Sequence, residues 1–265
     1  MDENRGREWV LITGASSGIG RALAFEFASR GYNLFLTARN EAALRQVAEE
    51  CGRKSKIETE FYLADLANLG TVDNLVRVLS TSGREFEILI NNAGFGVHGE
   101  FVKTELGQEL GMLNVQLAAM LKLTKALLPG MMARKRGRIL NVASVYSFAP
   151  VPFQAVYSAC KAFMLSFSAA LREELKSSGV TVTVLCPGTT QSEFRARAGI
   201  TEKNKSAGVS AETVARIAVH QTLRGRQLAV PGFSSRLFVF LARHLPFAVV
   251  PRVVRFVNNA RGVNG

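Results

Sequence analysis

Short runs of apolar and β-branched residues recur along the chain, separated by longer stretches in which apolar positions return every three or four residues. The short runs predict strands at Val10–Thr13, Asn33–Thr37, Ile57–Leu63, Ile88–Asn91, Arg138–Ala143, Thr181–Leu185 and Gln227–Val230. The longer stretches predict helices at Ile19–Arg30, Glu41–Glu50, Leu69–Ser80, Glu105–Met131, Ala155–Ser177 and Ala211–Leu223. In the fifth of these, Phe163, Phe167, Ala170, Leu171 and Leu175 form a stripe at helical spacing that calls for burial against a sheet or a partner helix. Strands alternating with helices point to an α/β fold, a parallel sheet of about seven strands covered by helices. No Pro/Ser-rich linker or internal repeat divides residues 1–265, which read as a single domain. Two stretches break the alternation. Residues 189–209 are polar and read as a mobile excursion on the substrate side, and residues 233–265 form an apolar, basic tail.

Composition narrows this picture. The chain is 48% hydrophobic and 20% charged, which excludes intrinsic disorder, and its length can bury a sizeable core. The longest uncharged stretch, Ile139–Cys160, is interrupted by Asn141, Ser144, Tyr146, Pro150, Pro152, Gln154 and Tyr157, so it is no membrane span. Cys51, Cys160 and Cys186 are odd in number and lack CxxC spacing, which argues against a disulfide framework or a zinc site. A reducing, cytoplasmic setting is therefore expected. The opening MDENRGREW has no apolar run and does not read as a signal peptide. The net charge of +12 admits nucleic acid, an anionic membrane surface or an anionic small ligand. Residues 201–265 hold ten Lys and Arg against Glu202 and Glu212, so +8 of the excess lies there and +4 in residues 1–200. That placement favours a membrane-surface or lid role for the tail. No aromatic-interleaved basic stripe or recognised motif supports specific nucleic-acid binding.

Candidate chemistry begins where the first strand meets TGASSGIG at 13–20 and a helix follows at once. Gly14, Ser16, Ser17, Gly18, Ile19 and Gly20 supply small side chains and a helix N-terminus, the requirements for backbone amides to approach a pyrophosphate. In a dinucleotide fold the end of the second strand meets the adenosine ribose: an acidic residue there binds a 2′-hydroxyl, an Arg a 2′-phosphate. Here the segment is TARN, with Arg39 and no carboxylate from Thr37 to Asn40, so NADPH/NADP+ is the cofactor expected over NADH.

With TGASSGIG, Asp65 and Leu66 after the third strand, NNAG at 91–94, Asn114, Ser144, Tyr157, Lys161, Pro187 and Gly188 in order, the chain resembles the short-chain dehydrogenase/reductase family over roughly residues 9–232. The resemblance implies a doubly wound, Rossmann-type sheet with helices on both faces and hydride transfer between a nicotinamide and a carbonyl or alcohol carbon. Ketone reduction also needs a proton on the oxygen as charge develops there. Tyr157 and Lys161 are four apart and share one helix face, and a nearby ammonium lowers a phenol's pKa, so Tyr157 is the expected proton donor. The resemblance further implies that Lys161 holds the nicotinamide ribose, Ser144 hydrogen-bonds the substrate oxygen and Asn114 supports a water relay. It places Asn91, Ala93 and Gly94 beside the riboses, Asp65 and Leu66 by the adenine, Pro187 and Gly188 after the sixth strand, and Thr190 or Ser192 at the nicotinamide amide. Cys160 reads as a small apolar filler.

Loops beyond the strand ends carry Phe95, Val97 and His98, then Phe148, Val151 and Phe153, then Phe194. They predict an apolar pocket in which Phe95, Val151, Phe153 and Phe194 join Ser144 and Tyr157 around a hydrophobic carbonyl substrate: lipid-like, sterol-like or 3-oxoacyl. His98 reads as a loop residue and not a second base. The tail, with Arg236, Arg243, Arg252 and Arg255 between apolar clusters, is too interrupted to span a membrane. It is left as either a peripheral membrane anchor through 233–257 or a cover for the substrate cleft or a subunit partner. The resemblance implies a homodimer or homotetramer through the helices at 105–131 and 155–177. The competing function is a non-catalytic NADPH-binding sensor or scaffold, against which the complete Ser144, Tyr157 and Lys161 set stands.

Overall fold

A computed structural model of the chain describes residues 8–191, 198 and 208–260. Its central sheet runs β1 Trp9–Thr13, β2 Asn33–Ala38, β3 Thr59–Leu63, β4 Phe86–Asn91, β5 Gly137–Val142, β6 Val180–Leu185 and, after a two-residue β7–β8 pair (Thr190–Gln191 with Val209–Ser210), β9 Leu228–Ala229. All of its pairings are parallel, in the order β3-β2-β1-β4-β5-β6-β9. The doubly wound seven-stranded α/β architecture is thus present. Strand order reverses between β1 and β4, the crevice where such sheets bind ligands.

The apolar strands are explained by burial on both faces. In β1, Val10 and Ile12 join the core beneath α1 (Gly18–Ala28), α2 (Glu41–Ser55) and the later helix Ala211–Leu223, while Trp9 and Leu11 join the core beneath α3 (Leu69–Thr81) and the central helices. At the N-terminal ends of the strands, Arg136 pairs with Glu8 and Glu87, and Arg138 pairs with Glu87. Both carboxylates are buried, and desolvation reinforced by Glu87 lifts Glu8 above the ordinary carboxylate range.

Two predicted helices differ, and the tail adds two more. The helix expected at 105–131 is α4 (Leu106–Leu113) and α5 (Ala119–Ala133), joined by a π-helical turn at Asn114–Ala118. Asn114 Nδ2 donates to Ala67 O at 2.9 Å and Gln116 Nε2 to Phe95 O at 3.0 Å, tying the irregular turn to loops beyond β3 and β4. The next helix, α6, is Ala155–Glu174 and ends in turns before β6. The tail folds into two helices that no strand–helix alternation predicted: α8 (Phe233–His244) and α9 (Val250–Ala260), following α7 (Ala211–Leu223). Most of the 189–209 excursion, including Ser192 and Phe194, lies outside the described residues.

Candidate active site

A cleft of about 950 Å³ lies at the C-terminal ends of the strands and runs from the β1–α1 loop to the tail helices. Its first end is fixed by Thr13. The buried Thr13 hydroxyl accepts from the N–H groups of Asn92 and Ala93, both at 3.0 Å, and donates to Ile90 O at 3.2 Å. Asn92 Nδ2 in turn donates to Thr13 O at 2.8 Å and Gly14 O at 3.2 Å. The two loops therefore pack backbone on backbone. A Cβ on Gly14 would lie 2.9 Å from Ala93 Cα, and one on Gly20 would lie 2.2 Å from Gly14 O. Gly14 also has φ +67°, where L side chains are strained. The first turn of α1 begins without a side-chain cap, and Gly18, Ile19 and Gly20 line the cleft with Ser16 and Ser17. Its N–H groups make an anion site.

Arg39 lines the cleft beyond this loop, exposed, and makes no ion pair among the described residues. Beside it Asn40 caps α2 by accepting from Ala43 N at 3.0 Å. Asp65 lines the same end, one carboxylate oxygen accepting from Ala67 N at 3.0 Å, with Leu66 buried next to it.

The other end holds the reactive set. Ser144 follows β5 and accepts from Tyr146 N at 3.2 Å, starting a 3₁₀ turn at Val145–Phe148; its hydroxyl also hydrogen-bonds the Tyr157 phenol. Tyr157 and Lys161 lie one turn apart on α6, both buried and both lining the cleft. Lys161 Nζ donates to Val142 O at 2.9 Å and lies 5.5 Å from the Tyr157 ring centroid. Burial pushes the Lys161 ammonium down to about 8. The same burial raises the Tyr157 phenol above its ordinary value, with the Ser144 hydrogen bond opposing it. This corrects the expectation of a lowered Tyr157 pKa: desolvation by burial is the largest influence on the phenol and raises it.

Other expected site residues separate. Ala93, Gly94, Phe95, Pro187, Gly188 and Thr190 line the cleft. Asn91 does not; its Nδ2 donates to Asn141 Oδ1 at 2.8 Å, and Asn141 Nδ2 donates to Ser168 Oγ at 2.8 Å, a buried chain that fixes α6 against β4 and β5. Asn114 stands behind the wall, with Val115 reaching it instead. Val151 and Phe153 also lie off the cleft. Val151 packs with Ala149, Val250 and Val254, and Phe153, at φ +64°, lies 5.4 Å beneath the Arg255 guanidinium. The apolar wall comes from the tail: Phe238, Val254 and Val257 line the cleft, and Phe238 meets Tyr146 edge-on at 6.2 Å. The tail thus forms part of the cleft wall. Asn92, Gln154 and the tail residues escaped sequence reasoning, although NNAG contained Asn92. Gln154 Nε2 lies 3.4 Å from His98 Nδ1, which leaves His98 in the loop. Cys160 and Cys186 are buried thiols, the latter pushed up to about 12 by desolvation.

Residues 8–203 match the profile of the short chain dehydrogenase family. The human very-long-chain 3-oxoacyl-CoA reductase is 36% identical over 184 residues, covering 68% of this chain and 58% of the human protein. The chain spans about half the length of the curated relatives it matches. Among solved structures, a Sphingobium yanoikuyae short-chain dehydrogenase in complex with NADPH superposes with a TM-score of 0.81 at 30% identity, covering 96% of this chain and 94% of that one. A bulky-bulky ketone specific alcohol dehydrogenase from Comamonas testosteroni superposes with a TM-score of 0.76 at 26% identity, covering 96% and 92%.

Proposed function

The chain belongs to the short-chain dehydrogenase family, and we propose that it is an NADPH-dependent oxidoreductase reducing the carbonyl of a hydrophobic, 3-oxoacyl or similarly lipid-like substrate to an alcohol. One observation carries this reading. The Ser144 and Tyr157 hydroxyls, hydrogen-bonded to each other, lie with Lys161 at the buried end of a cleft whose opposite end is a glycine cradle followed by Arg39, which makes no ion pair among the described residues.

The residues present fit the dinucleotide. Gly14 and Gly20 let the β1–α1 loop pack backbone on backbone against Asn92 and Ala93, which sets the start of α1 where its amides would meet a pyrophosphate, and the Arg39 guanidinium, without an ion pair among the described residues, would meet a 2′-phosphate. Asp65, Ala93, Gly94, Pro187, Gly188 and Thr190 complete the walls that would hold it. When bound, the cofactor supplies a hydride to the carbonyl carbon. Tyr157 gives its proton to the carbonyl oxygen while the Ser144 hydroxyl hydrogen-bonds that oxygen. Burial keeps the phenol protonated until that moment, and the buried Lys161 ammonium then faces the phenolate it leaves, where a charge pair is strongest. Asn114 acts through the turn it anchors. Phe95, Phe238 and Val254 make the lipid-facing wall. Very-long-chain 3-oxoacyl-CoA reductases among the relatives support the substrate class.

Leu106 and Leu110 on α4 and Phe163 on α6 are exposed, which supports pairing of chain copies through these helices into a homodimer or homotetramer. The test is NADPH absorbance against a panel of apolar ketones and 3-oxoacyl thioesters of increasing chain length. Tyr157→Phe should lower turnover by about 10²–10⁴-fold with NADPH binding intact. Undiminished turnover in that variant, or silence of the native chain across the panel with NADPH bound, would refute the assignment.

A further inference from the structure

Of the tail helices, α8 is apolar on two sides and α9 on one broad face, part buried and part exposed. Inward, α8 presents Ser235, Phe238, Val239 and Ala242, and α9 presents Val250 and Val254; Phe238, Ala242, Val250 and Val254 join one cluster with Ala149 and Val151. Outward, Phe233, Leu237, Phe240 and Leu241 on α8 recur at i, i+4, i+7 and i+8, and Val249, Val253, Phe256 and Val257 at the edge of α9 repeat that spacing. Phe233 is 83%, Phe247 77% and Phe256 75% exposed. The outer stripe of α8 lies opposite its inner face and points away from the body, and that of α9 flanks its inner face at the cleft mouth. Ten exposed large apolar residues on 28 consecutive positions exceed what scattered surface hydrophobics account for.

The charge on this segment is of one sign. Residues 233–260 contain Arg236, Arg243, Arg252 and Arg255 and no Asp or Glu. No described helix is long and apolar enough to cross a membrane. Short helices with exposed Phe and Leu beside arginines match the boundary of an anionic bilayer, where apolar side chains enter the acyl region and guanidinium groups meet phosphate. The same helices also reach the cleft: Val257 is exposed on the outer stripe and lines the cleft, as do Phe238 and Asn258. Arg243 lies 4.9 Å over the Phe148 ring and Arg255 5.4 Å over Phe153, so the tail is fastened to the loop that follows Ser144.

We propose that α8 and α9 seat this protein on an anionic lipid surface and that the mouth of the cleft beside Val257 opens toward that surface, so that an acyl substrate enters from the bilayer. The entry route rests on the reductase reading above; the seating does not. The test is flotation of the full chain with phosphatidylcholine vesicles, with and without phosphatidylserine, at low and high salt. Phe240→Ser/Phe247→Ser/Phe256→Ser, which alters no cleft residue, is run beside it. The native chain should float with the anionic vesicles, less so at high salt and on neutral vesicles, and the triple variant should bind on the order of a hundredfold more weakly. Reduction of a short, soluble ketone should be unchanged in that variant, while reduction of a vesicle-embedded 3-oxoacyl substrate falls. No flotation of the native chain, or equal flotation of the variant, overturns the seating. A variant that instead shifts from dimer to monomer in light scattering assigns the surface to a second copy of the chain and overturns it as well. Flotation without turnover on any carbonyl leaves the seating standing and refutes the function and the entry route.

Discussion

Replacing Thr13 by Val tests whether the cofactor end of the cleft is held by one hydroxyl. The two side chains are nearly isosteric, and Thr13 is 2% exposed, so the change removes hydrogen bonds without opening a cavity. Lost with the oxygen are an acceptor for Asn92 N and Ala93 N, each at 3.0 Å, and a donor to Ile90 O at 3.2 Å. Asn92 N and Ile90 O still hydrogen-bond each other at 3.1 Å, so Ala93 N is the group left without its acceptor, at a cost of about 1–3 kcal/mol. For a domain of this size that lowers Tm by roughly 2–12 °C. Because Ala93 and Gly94 line the cleft next to Gly14, loosening their anchor should also weaken NADPH binding by on the order of tenfold, through lost preorganisation. The assay is thermal and denaturant unfolding together with NADPH titration by fluorescence, run against Thr13→Ser. Serine keeps the hydroxyl and loses a methyl, about 1 kcal/mol. A valine variant within about 0.5 kcal/mol of the native chain, or a serine variant as damaged as valine, would refute the reasoning.

Arg39→Asp should reverse cofactor preference, lowering kcat/KM with NADPH by about 30–150-fold through loss of a charge-assisted contact; an unchanged NADPH-to-NADH ratio removes Arg39 from recognition. Gly20→Ala sets two effects of opposite sign against each other. Alanine in a helix gains about 1 kcal/mol over glycine, but its Cβ would sit 2.2 Å from Gly14 O. The contact should win, abolishing NADPH binding and lowering Tm; a stabilised, cofactor-binding variant would show that the loop gives way. The pH profile follows from two opposite shifts. Lys161 is held at about 8 by burial and Tyr157 is raised above its ordinary value, so raising pH through 8 removes the ammonium while the phenol stays protonated. Reduction should therefore decline with an apparent pKa near 8, and a rate that is level to about pH 10 contradicts the assigned charge state of Lys161.

The parallel sheet was legible because strands buried on both faces read as continuous apolar runs, as in Val10–Thr13 and Ile88–Asn91. The glycine loop and Arg39 were legible because their chemistry is local. What sequence periodicity missed depends on distant partners. Asn114 and Gln116 sit in a helical pattern, yet their amides find Ala67 and Phe95, 47 and 21 residues away, where a π turn joins α4 to α5. Val151 and Phe153 belonged to the right loop, but one faces the tail cluster and the other lies under Arg255, and nothing within five residues of either encodes that. The tail helices escaped because apolar residues on opposite faces of α8 blur its stripe, while α9 is amphipathic but short and begins beside Pro251, after Pro246 has broken the pattern. The Tyr157 pKa expectation failed for a related reason: spacing reveals that Lys161 is near, but not that both groups are buried.

The ion pairs joining Glu8, Glu87, Arg136 and Arg138 close the strands at the end of the sheet farthest from the cleft. Structural integrity and substrate choice are thereby assigned to opposite poles of the molecule. Diversifying the residues at 145–153 and on the inner face of α8 should retune which carbonyl is accepted while the ends of β1, β4 and β5 stay fastened. Disrupting Glu87 should destabilise the chain by about 3–5 kcal/mol without touching what it recognises. For protein engineering this makes the tail a replaceable cassette on a fixed chassis.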